Sequence, residues 1–362
     1  MRKPPLSGLS AFRTGLLRRC LAAPVLGALF LFVVLGTLNY VFTSGLWTAI
    51  PVEYCLRDDD DTSTYVSWIV GRNKRVPPTV CSVYLIGGST AREALLGEAS
   101  FASDVARLGG TPIAAWNAST SNQDFAETLA IVDNVPDTPT WVIIGVGPGR
   151  FTASPAKSEQ EVVGMGLLLK STRLKRYVAE EYGHYRGAST ILPGILTYLG
   201  GLVGDGLSSG AGARHEYDAF KYTVERSYTP AQKDSMVATW FERAYPRFRA
   251  NVDYNLAMLE QVVACAQERG LHVVLVELPL NREALRGRFD EVLASYQRPL
   301  RAMARERRVP YLDLERENPI PSSGFHDLMH LVEPGRARWQ RRLARELVAL
   351  MARDDADLSA AR

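Results

Sequence analysis

The chain has 362 residues, 46% hydrophobic and 22% charged, a globular composition that excludes disorder as the main state and leaves one large domain with appendages or two small ones. Its 42 Lys and Arg against 39 Asp and Glu give a net charge of +3, too little for a protein built to neutralise many nucleic-acid phosphates. Four cysteines are few for a secreted disulfide scaffold, and a chain of this size buries a core without staples.

Arg2, Lys3, Arg13, Arg18 and Arg19 precede residue 44 without a single acid, so the positive charge belongs to the amino-terminal tail. From Cys20 to Phe42 the chain is uncharged, long enough to cross a hydrocarbon core of about 30 Å, and only a helix satisfies its backbone there. Cations collect on its amino side and the first acid, Glu53, follows it. The positive-inside rule therefore puts residues 1–19 in the cytoplasm, 20–43 in the membrane and the remainder outside. A cleaved signal peptide would have a shorter apolar core ending in small residues; this one runs into Asn39, Tyr40, Phe42 and Trp47, the composition of an interfacial belt, so an uncleaved anchor is expected. Cys20 behind two arginines does not suit a lipoprotein processing site.

Residues 44–78 hold the run Asp58 to Asp61 and the pair Pro77 and Pro78, and read as a membrane-proximal linker with one short helix near Thr64–Val70. The aspartates lack the spacing and central Gly of a calcium loop. From residue 79 to 352 strand and helix patterns alternate: apolar strands at Val80–Ile86, Thr111–Trp116, Thr140–Val146, Leu271–Glu277 and Val309–Asp313, with helices through Phe125–Val132, 232–269 and 284–307. Five such strands predict an α/β fold, a parallel sheet covered by helices on both faces. The interval 152–231 breaks the rhythm with an apolar, Gly-rich run and reads as a helical insertion, either a lid or bilayer-touching element or a hairpin packed on the sheet. Residues 353–362 are polar and are expected to fray. Cys55 and Cys81 are the candidate disulfide pair, and Cys265 sits on a helical pattern as a buried thiol.

Three places fall where a parallel sheet puts function, at the carboxyl ends of strands. Gly87, Gly88, Ser89, Thr90 and Ala91 form a strand-to-helix turn that exposes a hydroxyl beside backbone N–H groups. Asp327 and His330 lie three residues apart after the last strand, so the carboxylate can fold against one imidazole nitrogen and leave the other to take a serine proton. Asn117, Ser119 and Asn122 form a polar loop after the second strand that can face a developing oxyanion. The order Ser, Asp, His also fits an α/β-hydrolase, but the elbow of those enzymes follows several strands and this one follows the first. Gly145, Gly147 and Gly149 after the third strand are in the wrong place for a dinucleotide fingerprint, and Pro148 disturbs a helix start there. His326 reads as a neighbour of the active turn. Glu277, Pro279 and Asn281 end the fourth strand, as pocket lining or as packing, and His184, His215 and His272 belong to no constellation.

At these residues the sequence resembles the SGNH (GDSL-like) hydrolase superfamily over about residues 80–350, and within it the membrane-anchored, extracytoplasmic members that transfer acyl groups on cell-envelope polymers, such as the D-alanyl transfer and alginate O-acetylation proteins. The resemblance implies a three-layer α/β/α domain with Ser89 as nucleophile, Asp327 as the His-orienting acid and His330 as general base. It also implies an inner-membrane, periplasm-facing protein, an acylated polysaccharide or lipid-linked acyl substrate, and a multi-spanning O-acyltransferase partner, with no metal, diffusible cofactor or nucleic acid. Two departures stand out. The usual Gly-Asp-Ser is Gly88-Ser89 without the Asp, and the usual Gly-x-Asn reads Gly145, Val146, Gly147, so the side-chain oxyanion donor is absent. Such a donor is worth about 3–4 kcal/mol of transition-state stabilisation, with Asn117, Ser119 or Arg150 as candidate substitutes. The candidate oxyanion and substrate contacts are Gly88, Thr90, Asn117, Ser119, Gly147 and Arg150. The competing expectation is a non-catalytic binding or scaffold module of an envelope-polymer machine, motivated by that depleted oxyanion site.

Overall fold

A computed structural model describes residues 7–57, 61–137, 139–156, 167–182, 192–208, 226–316 and 318–360. Asp58 to Asp60, His184, His215 and residues 209–225 of the insertion lie outside these. The elements in chain order are α1 (Ser7–Thr43), α2 (Thr62–Arg75), β1 (Cys81–Ile86), α3 (Ser89–Arg92), α4 (Glu98–Gly109), β2 (Ile113–Asn117), α5 (Phe125–Val132) and β3 (Thr140–Val146), followed by α6 (Thr172–Tyr182), α7 (Leu192–Ser208), α8 (Pro230–Arg243), α9 (Tyr245–Glu268), β4 (His272–Glu277), α10 (Arg282–Leu285), α11 (Asp290–Glu306), β5 (Tyr311–Leu312) and α12 (Glu333–Ala360).

The five strands form one all-parallel sheet in the order β2-β1-β3-β4-β5. Side chains alternate across a strand, and because β1, β3 and β4 are apolar at nearly every position, both faces of the sheet are buried. Tyr84, Ile86, Val142, Ile144 and Leu275 join the layer of α5, α9 and α11. Val83, Leu85, Ile143, Val274 and Val276 join the layer of α3, α4 and α12. The chain goes from β1 outward to β2, then returns past β1 to β3, β4 and β5, and right-handed crossovers put the helices of these two directions on opposite faces. The reversal at β1 is the point where open parallel sheets leave a crevice beyond the strand ends.

α1 is longer than the apolar stretch predicted, and Pro24–Thr43 is its 20-residue segment apolar and long enough to span a membrane. Within it Phe30 and Phe32 are 72% and 76% exposed, a state that water would penalise for side chains of this size.

Several expectations need correction. Residues 44–78 are not a linker: Trp47, Cys55, Val66, Trp68, Ile69 and Val70 belong to the larger core layer. Asp61 starts α2 by accepting from Thr64 N–H, and its carboxylate is clamped by Arg57 at 2.7 Å. Cys55 is a buried free thiol, so no disulfide joins it to Cys81; Cys265 is buried as expected. β5 is only two residues long because Pro310 has no N–H to give a ladder, although its carbonyl still accepts from Leu275 N–H at 2.9 Å. The final residues do not fray at 353: α12 runs to Ala360, and Asp354 lies 3.5 Å from His272. The described parts of the insertion pack on the domain, with Leu168, Leu174, Ile195 and Tyr198 in the core.

The layer of α12 is locked by one buried amide. Gln340 Oε1 accepts from Leu96 N–H at 2.8 Å, and its Nε2 donates to Ser100 Oγ and Asp104 Oδ2 at 3.0 and 2.8 Å. Gln340→Ala removes these three part-buried hydrogen bonds and the packing of a fully buried side chain, and is expected to cost about 1–3 kcal/mol, read as a lower urea midpoint for the full chain in detergent. An unchanged midpoint would contradict this role.

Candidate active site

Ser89 owes its place to the turn before it. A Cβ on Gly87 would stand 2.5 Å from Ala91 Cβ, so only glycine lets α3 fold back this tightly on β1. Gly88 caps α3, its carbonyl accepting from the N–H groups of Ala91 and Arg92. Ser89 and Thr90 are half-buried at the rim, where a substrate can reach the hydroxyl.

His330 and Asp327 arrive from the segment between β5 and α12. An antiparallel bridge of Phe325 and Leu331 pinches this loop, and His326 N–H donates to His330 O at 2.8 Å. One oxygen of Asp327 accepts from the N–H groups of Met329 and His330, both at 2.8 Å, and the other faces His330 Nδ1 at 2.7 Å. With the carboxylate accepting, the ring proton sits on Nδ1 and Nε2 is left as an acceptor. Nε2 lies 2.9 Å from Ser89 Oγ. The structure thus brings together the three residues assigned to chemistry from sequence.

Burial opposes charge on both partners, and the pairing outweighs it. Asp327 is desolvated, which raises its pKa, yet the side-chain hydrogen bond and charge of His330 and the two backbone N–H bonds bring it down to about 2. For His330 burial pulls the pKa down, but the Asp327 hydrogen bond and charge, with a smaller push from Glu93, leave it raised above 6.5. Glu93 is half of a buried ion pair with Arg92 at 2.9 Å, and Arg92 reaches Ser121 Oγ at 3.0 Å.

The candidate oxyanion side chains point elsewhere. Arg150 is buried over the Phe125 ring, and its guanidinium donates to the carbonyls of Gly145 at 2.6 Å, Asp124 at 3.0 Å and Gln123 at 3.3 Å, and to Thr128 Oγ1. Desolvation lowers its pKa to about 10, so it stays cationic, but as a brace for the β3 and α5 ends. Asn117 Nδ2 donates to Arg92 O at 2.9 Å and Ser119 Oγ to Leu85 O at 3.2 Å. Gly147 is extended backbone beside Leu278, its carbonyl accepting from Arg150 N–H. The expectation that Asn117, Ser119 or Arg150 supplies the missing side-chain donor is therefore not met; their polar atoms answer nearby carbonyls that would otherwise be buried unpaired.

Of two supporting residues, Lys233 went unassigned in the sequence and Asn281 was read only as pocket lining or packing. Lys233, 2% exposed, donates to Ser227 Oγ, Ser322 O, Ser322 Oγ and Phe325 O at 2.7, 2.8, 3.1 and 3.2 Å, pinning the loop that carries Asp327. Burial lowers its pKa, and the carboxylates of Asp327 and Glu283 counter that. A cation near the start of a helix is unfavourable for the dipole, the one sequence hint that Lys233 answers to something outside α8. Asn281 Nδ2 donates to Asp327 O at 3.1 Å and Ser322 Oγ at 3.0 Å, so it supports the loop from beneath. Glu277 instead is buried against Tyr296 and Tyr311, its pKa raised to about 7 by desolvation. His326 faces Arg226 O at 2.6 Å and the Tyr228 ring, and His272 stacks on Trp141. Among the described residues no three His, Cys, Asp or Glu side chains gather to hold a metal.

This geometry predicts the titration of His330. In the wild type its ring should titrate above 6.5; in Asp327→Asn the hydrogen bond and charge that raise it are gone, burial dominates, and the midpoint should fall below 6.5. Proton–carbon NMR of ring-labelled histidines reads both, and a midpoint unmoved by the substitution would contradict the pairing.

No protein-family model matches this chain, and no curated protein matches it.

Proposed function

We propose that this chain is an extracytoplasmic serine acyl-esterase or O-acyltransferase of SGNH type, tethered to the inner membrane by α1. The observation that carries the reading is the continuous relay from Ser89 Oγ through His330 to Asp327, with contacts of 2.9 and 2.7 Å, at the rim where the sheet order reverses.

In the proposed reaction Ser89 Oγ attacks the acyl carbonyl carbon while His330 Nε2 takes the hydroxyl proton. Asp327 holds the ring and stabilises the imidazolium without itself becoming protonated. Collapse of the tetrahedral intermediate breaks the bond to the leaving alcohol, which receives the proton from His330 and leaves an acyl-serine. A water or a sugar hydroxyl then repeats the sequence, and the acceptor decides between hydrolysis and transfer. The backbone N–H groups of Ser89 and Ser119 take no acceptor among the described residues, which suits them to the oxyanion. Tethering favours a substrate itself confined to the envelope, an acylated polysaccharide or a lipid-linked acyl ester handed over by a membrane-bound O-acyltransferase.

A second reading, a non-catalytic scaffold in an envelope-polymer machine, is favoured by one observation: Gly147 stands where the family places an Asn, and Asn117, Ser119 and Arg150 are engaged elsewhere.

Hydrolysis of a chromogenic acetate ester by the full chain in detergent separates them. Ser89→Ala should lower kcat/KM by at least about 10³-fold and Asp327→Asn by about 10³–10⁴-fold. Because the base must be neutral, wild-type kcat/KM should rise with pH through a pKa above 6.5. Equal rates for wild type and Ser89→Ala would remove the enzyme and leave the scaffold.

A further inference from the structure

A cavity of about 180 Å³ lies where α1 leaves the globular domain. Its wall on one side is the end of α1, Thr43 to Gly45, and its rim carries three cations, Lys74 and Arg75 from the end of α2 and Lys170 from the segment before α6. Among the described residues no carboxylate lines it. Cations at the end of α2 complement that helix's dipole, which accounts for Lys74 and Arg75 but not for Lys170, a residue from a distant part of the chain.

The frame around the cavity is fixed. Gly45 has φ +73°, and a Cβ there would lie 3.0 Å from Gly71 O, so the end of α1 rests directly on the α2 backbone. Asn134 joins the two segments that carry them: its Oδ1 accepts from Lys74 Nζ at 3.2 Å and its Nδ2 donates to the backbone carbonyl of Lys170 at 2.9 Å. Leu168 N–H donates to Ser67 Oγ at 2.7 Å, tying the Lys170 segment to α2. Three cationic side chains thus share one cavity, and no carboxylate among the described residues lines it with them.

Depth supplies the missing partner. The 20 residues Pro24–Thr43 rise about 30 Å as a helix at about 1.5 Å each, the thickness of a bilayer's hydrocarbon core. If α1 spans, Thr43 to Gly45 stand at the level of the lipid phosphates. We propose that this cavity seats the phosphate of a phospholipid headgroup from the outer leaflet, with Lys74, Arg75 and Lys170 as its charge-assisted donors. The site rests on the membrane-anchor part of the proposed function and is independent of the chemistry at Ser89. It would hold the domain at a set height and tilt against the membrane.

The test is native mass spectrometry of the full chain in detergent, titrated with a short-chain phosphatidylglycerol, the matching diacylglycerol without phosphate, or inorganic phosphate. Wild type should retain one phospholipid, at least tenfold more tightly than it retains diacylglycerol or inorganic phosphate. K74Q/R75Q/K170Q should lose that preference at least tenfold, and the charge-conserving K74R/R75K/K170R should restore it, which separates a lost site from a misfolded chain. Equal retention by the neutralised variant, or equal binding of diacylglycerol, would overturn the site, and inorganic phosphate binding as tightly as the lipid would overturn the lipid as its source. Alkaline carbonate extraction of the same membranes tests the anchor by itself: release of the chain would overturn the anchor and this site with it, whereas a chain that stays bound but shows no phosphate preference overturns the site alone.

Discussion

The contact between Ser89 and His330 closes a loop of 241 residues at 2.9 Å, and most of the architecture can be understood as what makes that closure possible. In a parallel sheet every strand delivers its following residue to the same rim. β1 lies inside the sheet and β5 at its edge, so the serine turn is central and the segment after β5 must reach back across the rim before α12 descends on the far face. The bridge of Phe325 and Leu331 shapes that return path.

Holding an imidazole in one orientation requires more than one partner, because a free loop would trade the geometry for entropy. Asp327 is fixed through its own backbone neighbours, its carbonyl by Asn281, and the stem of its loop by the Lys233 ammonium. A buried ammonium is costly unless hydrogen-bonded; here oxygens from Ser227, Ser322 and Phe325 surround it, and the nearby Asp327 carboxylate offsets part of its charge. The support for the Asp327–His330 geometry is thereby built into the fold itself. The same economy explains Arg150: the close approach of the β3 end to the start of α5 brings several carbonyls together, and a single guanidinium satisfies them.

Much of this was legible in the sequence for a physical reason. Strands buried on both faces must be apolar and β-branched along their length, which marks Val142 to Ile144 and Val273 to Val276 without any partner in view, and a carboxylate three residues before a histidine is a local geometry. What stayed hidden depends on distant contacts. Trp47, Trp68 and Ile69 share their segment with the run Asp58 to Asp61 and the pair Pro77 and Pro78, so apart from its one short helix it read as a linker, and the tail at 353 gives no local sign of the contact between Asp354 and His272. Asn117, Ser119 and Arg150 carry donors whose targets are set only when the strand ends converge, and Lys233 meets its oxygens from a helix about 90 residues earlier in the chain.

The central claim is that the Ser89 hydroxyl is activated as a nucleophile by the histidine across the rim. The most direct measurement is labelling of the full chain with a fluorophosphonate probe, followed by peptide mapping of the adduct. The account predicts a single modified site at Ser89, formed quickly in wild type and lost when His330 is replaced by Ala. An unlabelled chain, or labelling at Ser89 that persists unchanged without the imidazole, would contradict it.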